Sequence, residues 1–164
     1  GCLFRGGAER NIRSKVVEKD WIECVILTPE KLFYNTGAPG AIIIMRKNKP
    51  QERKNKILFI NASNEYISHP SVRRLNTLSK ENINKIVETY REFTDSTGFS
   101  RVVDISEVRK NDYNLNVTLY VMPVEEKEPI DISKEFQELM KIEEERKKVT
   151  EDLKQILEQI KGAI

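Results

Sequence analysis

Histidine occurs once in the 164 residues, at His69, and cysteine only twice, at Cys2 and Cys24. A structural zinc site needs about four Cys or His ligands, and a stapled secreted domain needs several cysteine pairs, so neither class fits. Long hydrophobic runs are missing too. The longest apolar stretch, Ala38–Met45, falls far short of the ~20 residues of a membrane span. The opening residues show no signal-peptide pattern, since charge enters at Arg5 and returns from Glu9. The expectation is a soluble, cytoplasmic protein with no metal and no membrane partner.

Charge, in contrast, is plentiful: 33% of residues are Asp, Glu, Lys or Arg, against roughly 25% in an average domain. The net charge of +2 conceals an uneven spread. Residues 1–60 hold 12 basic and 6 acidic side chains, residues 61–124 hold 8 of each, and residues 125–164 hold 8 basic and 12 acidic. A basic first third points to a polyanion, because Lys and Arg displace counterions from phosphates. The acidic last quarter points to a solvated helix or a protein contact.

Periodicity sets out the elements. Ile12, Val16 and Val17 share one face of a helix over 8–19. Residues 21–27 read as a buried strand stopped by Thr28-Pro29, and 41–46 as a more continuously apolar strand covered on both faces. Between them lies a loop holding Phe33, Tyr34, Gly37, Pro39 and Gly40. A basic connector leads to a third strand at 57–60, and a disordered-looking polar stretch continues to Thr77. Ser79 reads as the N-cap of a helix over 80–94, stapled by Leu78 and Ile83, whose apolar face is Ile83, Ile86, Val87, Tyr90 and Phe93. Strands follow at 101–105 and, by alternation, at 113–121, before an acidic linker bracketed by Pro123 and Pro129. From Ser133 a helix carries Leu139, Ile142, Val149, Leu153, Ile156 and Ile160 at coiled-coil-like spacing, a stripe suited to docking a partner.

Three signatures stand in order along this framework: Leu3-Phe4-Arg5-Gly6-Gly7-Ala8-Glu9 with Ile12-Arg13, then Leu32–Pro39 (LFYNTGAP), then Asn111–Asn116 (NDYNLN). Together they resemble the C-terminal half of type I restriction–modification methyltransferase subunits, which are adenine-specific DNA methyltransferases using S-adenosylmethionine. The resemblance covers essentially the whole chain. It implies a fragment, because the family's glycine-rich cofactor motif and Asn-Pro-Pro-Phe catalytic motif do not occur here. No catalytic residue and no cofactor binding are therefore expected of this chain; S-adenosylmethionine would belong to the full-length parent. Two departures stand out: Asn61 where family members usually carry an acidic residue, and Val117–Tyr120 where they often carry Ile-Pro and an Arg.

The resemblance also assigns candidate sites. Enzymes of this kind hold a flipped adenine against an aromatic face, and Phe33, then Tyr34, match the position that packs on the base. The alternative for Phe33 is a core cap under its loop. Arg5, beside Gly6-Gly7, would pair with a DNA phosphate, or else belong to an ordinary helix-entry turn. Arg46, Lys47 and Lys49, within the cluster that continues to Arg53, Lys54 and Lys56, would track the DNA backbone, unless the run is a solvated hairpin.

The fold expected is α/β: residues 1–60 as the last units of a methyltransferase-type sheet, 61–124 as an accessory layer with its own strands, and 125–164 as linker and interaction helix. The partners expected are DNA, and a specificity subunit or the upstream half of the methyltransferase subunit. Two other functions remain open, a non-catalytic helical interaction module and an independent nucleic-acid-binding domain.

Overall fold

The computed structural model describes residues 1–123 and 132–161, with side chains in the last helix described for 136–151 and 153. Residues 1–124 and 125–164 are two separate compact units. The first unit opens with α1 (Ala8–Glu18), entered through Gly7 at φ 68°. Then come β1 (Ile22–Leu27), β2 (Ala41–Met45), a short 3-10 turn at Gln51–Arg53, β3 (Lys56–Asn61), β4 (Ile67–Ser68) and β5 (Asn76–Thr77). It ends with α2 (Lys80–Glu92), β6 (Ser100–Asp104), α3 (Ile105–Lys110) and α4 (Val117–Tyr120).

A mixed four-stranded sheet, ordered β2-β1-β3-β6, forms the centre. β1 and β3 run parallel, with Cys24 opposite Leu58 and Leu27 opposite Asn61; β2 and β6 are antiparallel to their neighbours. Alternating side chains of β1 and β3 enter two cores, which is why both strands are mostly apolar, with Glu23 in β1 a buried exception. Val25, Ile57 and Phe59 pack with Val17, Ile105, Val108, Leu115, Val117 and Tyr120 on one face. Cys24, Ile26, Leu58 and Ile60 pack with Ile86, Tyr90 and Phe93 of α2 on the other. Helices thus cover both faces of the sheet.

Several expectations are corrected. β2 is not covered on both faces: it is an outer strand, with Ile42 50% and Met45 55% exposed. The segment 113–121 is not a strand. Asp112 and Tyr113 take positive φ, and Asn114 Oδ1 accepts from the Asn116 amide, so the chain turns instead and enters α4. Its buried residues Leu115, Val117, Tyr120 and Val121 then meet one core without strand pairing. The stretch to Thr77 is ordered by the β4–β5 hairpin, which pairs Ile67 with Thr77. The strands at 57–60 and 101–105 join the same sheet as β1 rather than a separate layer, so 1–60 and 61–124 form one compact unit and share both cores.

The N-cap of α2 is as read, with Ser79 Oγ accepting from the Asn82 amide and Asn82 Oδ1 accepting from the Ser79 amide. Its inward face is narrower than read, because Ile83 and Val87 stay exposed. In the second unit, α5 runs Ile132–Lys161. The linker 125–131 and the side chains of Ser133, Ile156 and Ile160 lie outside the described residues.

Candidate functional site

The carboxyl ends of the parallel strands β1 and β3 mark one edge of the sheet, where ligands of open α/β sheets bind. Two loops leave it: 28–40 after β1, and 62–79 after β3. The first is closed at its root by Thr28, whose amide donates to the Gly40 carbonyl at 2.9 Å and whose Oγ accepts from the Gly40 amide at 3.0 Å. The Phe33 ring lies against Gly40, so closely that a Cβ there would sit 2.5 Å from Phe33 Cε2. Glycine at 40 is thus what lets the ring come this close. Phe33 remains 47% exposed and Tyr34 76%. The core-cap alternative for Phe33 therefore does not describe it.

The first and third signatures come together. Leu115 N–H donates to the Leu3 carbonyl at 2.9 Å. The buried Arg13 guanidinium donates to the carbonyls of Cys2, Arg5 and Tyr113 at 2.8, 3.0 and 2.5 Å. Arg10 Nε donates to Asp112 at 2.7 Å, which lowers the Asp112 pKa. Glu18 accepts from Arg109 and from the Tyr113 hydroxyl, and these two hydrogen bonds hold its carboxyl down at about 2. Arg13 was missed as a key residue, since an arginine on a short helix gives no sign of facing inward. The Arg5 side chain is exposed, 4.0 Å from Glu9.

The basic connector is largely committed to the protein itself. Lys49 is buried, donating to Asp20 at 2.5 Å and to the Lys56 carbonyl at 2.7 Å, so it is not available to a DNA backbone. Arg46 lies 3.5 Å and Arg53 3.4 Å from the fully buried Glu23, which also accepts from the Tyr90 hydroxyl at 2.6 Å. A carboxylate inside a strand needs such partners, and the connector supplies them. Lys47 lies over the Trp21 ring at 5.5 Å. Beside Glu23, burial pushes the Cys24 thiol up to about 12, so it behaves as a small hydrophobe.

Sequence reasoning also missed a cleft of about 630 Å³ between the two edge loops, where Tyr34 and Gly37 face Val72, Arg73 and Arg74. Only the fold could reveal it, because the two loops are about forty residues apart in the chain.

Residues 1–129 match the N-6 DNA methylase family. The chain belongs to that family. It is 65% identical over 143 residues to the MjaVII type I restriction enzyme methylase subunit of Methanocaldococcus jannaschii, covering 87% of this chain. The MjaVIII methylase subunit of the same organism is 62% identical over 142 residues, again 87% of this chain. The chain spans 25% of the length of each. The type I restriction–modification methyltransferase subunit of Streptococcus thermophilus superposes with a TM-score of 0.67 at 35% identity, covering 75% of this chain and 25% of that one.

Membership of the N-6 DNA methylase family implies S-adenosylmethionine as methyl donor in the complete enzyme. β1 ends in Thr28-Pro29 and β3 in Asn61-Ala62, with no glycine turn leading into a helix. The Asn61 side chain is occupied, donating to the Val121 carbonyl at 3.0 Å and accepting from Ser63 Oγ at 2.7 Å. No three His, Cys, Asp or Glu side chains among the described residues group to hold a metal, and no described helix is long and apolar enough to cross a membrane.

Proposed function

We propose that this chain provides target-base and DNA contacts within an adenine-specific DNA methyltransferase subunit of a type I restriction–modification system, and a helix that docks a partner subunit. The observation that carries the reading is the Phe33–Tyr34 loop at the carboxyl edge of β1, with two exposed aromatic rings in a chain of this family. An adenine taken out of the duplex leaves its neighbours' stacking and needs an aromatic face in return. Phe33, packed against Gly40, is the face assigned to the base, with Tyr34 beside it. Arg5 and Lys47 are the remaining phosphate contacts of those read from the sequence, and Arg46 is divided between Glu23 and solvent.

The test is Phe33→Ala in the complete methyltransferase that contains this segment. Methyl transfer to duplex DNA should fall ~10–100-fold, since base–aromatic stacking contributes about 1–3 kcal/mol. Binding of S-adenosylmethionine should not change. Equal turnover by wild type and variant would remove Phe33 from the base pocket.

The docking role rests on α5, where Leu139, Ile142, Val149 and Leu153 are all more than half exposed. Apolar side chains repeated along one helix at three- and four-residue steps need another helix to cover them. A specificity subunit is the partner proposed.

A further inference from the structure

We infer that the cleft between the Phe33 loop and the Val72–Leu75 turn binds DNA phosphates flanking the extruded base, with Arg73, Arg74 and Lys31 as the phosphate ligands and Tyr34 as a stacking face. This deepens the DNA reading above and rests on it.

The cleft opens on the edge formed by the carboxyl ends of β1 and β3, the same edge that carries Phe33. Its lining includes three cations, one aromatic and no carboxylate. Arg46, Lys49, Arg53 and Arg109 each reach a carboxylate, whereas among the described residues none lies within 4.0 Å of Lys31, Arg73 or Arg74. Uncompensated positive charge in a concave site attracts polyanions, and adjacent guanidiniums can each take a phosphate by two parallel hydrogen bonds.

The turn that carries the two arginines is held in place. It is the tip of the β4–β5 hairpin, where His69 N–H donates to the Leu75 carbonyl and Leu75 N–H to the Val72 carbonyl, both at 3.0 Å. His69 Nδ1 accepts from the amides of Ser71 and Val72, each at 3.1 Å. The hairpin is then tied to the opposite wall, with Asn76 N–H donating to the Lys31 carbonyl at 2.9 Å and Asn76 Nδ2 to the Glu30 carbonyl at 2.8 Å. Cations fixed in this way lose less freedom on meeting a ligand than cations on a loose loop. His69 is accordingly a positioning residue. Tyr34, 76% exposed on the other wall, offers the stacking surface that nucleic-acid grooves pair with such charge.

The experiment is fluorescence anisotropy of the whole 164-residue chain with a labelled duplex carrying a central mismatched adenine, at salt from about 50 to 200 mM. Circular dichroism confirms that each variant is folded. Arg73→Gln with Arg74→Gln should reduce the slope of log affinity against log salt by about 1.8, at ~0.9 for each phosphate no longer neutralised. Tyr34→Ala should weaken binding to the mismatched duplex more than to a matched one and leave the slope alone. His69→Ala should weaken binding with Arg73 and Arg74 both in place, and His69→Asn, whose Oδ1 can take the place of Nδ1, should restore it. An unchanged slope in the double arginine variant overturns the assignment. So does an equal loss in Lys15→Gln with Lys110→Gln, which would mean diffuse attraction; in both cases the DNA reading stands. A wild-type chain that binds no duplex at the lowest salt removes the cleft assignment together with the DNA reading.

Discussion

At the scale of single residues, the buried Arg13 ties the first signature to the third. Its guanidinium is the common donor to three carbonyls on two segments a hundred residues apart. Removing it leaves those carbonyls without their charged donor, a loss of about 3 kcal/mol at charge-assisted strength. Arg13→Ala should lower the urea midpoint accordingly. Arg13→Lys should recover little, because one ammonium cannot spread over the fork that reaches Cys2, Arg5 and Tyr113. A midpoint equal to wild type in the alanine variant would show that these hydrogen bonds do not hold the two segments together. Asn61 makes a related point. Its amide donates to the Val121 carbonyl, which a carboxylate at that position could not do, so the departure from the family pattern has a structural consequence.

Elements meet through exposed ionic contacts and through a free sheet edge. Glu18 on α1 joins Arg109 on α3 and the Tyr113 hydroxyl, and its pKa falls to about 2 as a result. A carboxyl depressed in the folded state contributes stability fully above its unfolded value of about 4.3, and loses it as pH drops through the folded value. The difference in urea midpoint between wild type and Glu18→Gln should therefore be largest above about pH 5 and shrink towards pH 2. A difference independent of pH would assign it to packing. At the sheet edge, β2 pairs only with β1 among the described residues and leaves Ile42 and Met45 half exposed. An outer apolar strand recruits further strands. The isolated chain should sediment as larger species as concentration rises, and Ile42→Lys with Met45→Lys should return it to a monomer. A wild-type chain that stays monomeric at high concentration contradicts this.

Over the whole molecule, the chain forms two compact units. The first carries the family match and the candidate DNA edge; the second carries α5. If α5 docks a specificity subunit, Ile142→Asp with Val149→Asp should abolish co-purification of the pair. Amide dispersion from residues 1–124 should be unchanged, because both substitutions lie outside that unit and its core clusters are built from residues between Leu3 and Val121. Retained assembly would move the docking surface elsewhere.

Local patterns were sufficient wherever one stretch of chain carried the whole signal. α1, β1, β3, α2 with its Ser79 cap, and the long C-terminal helix could all be read from apolar spacing and capping chemistry. The three signatures likewise led to the family, since motif order survives in the sequence alone. What only the tertiary structure decided depends on partners far apart in the chain. An apolar strand such as β2 looks the same whether a layer covers it or it lies outermost. Alternation at 113–121 mimics a strand when its buried residues merely meet a core from a turn and a short helix. Lys49 reads as a surface cation until Asp20 and the Lys56 carbonyl enclose it, whereas Arg73 and Arg74 read as loop filler until the hairpin carries them across from Tyr34. Burial and pairing are properties of contacts, and contacts between distant residues exist only once the chain has folded.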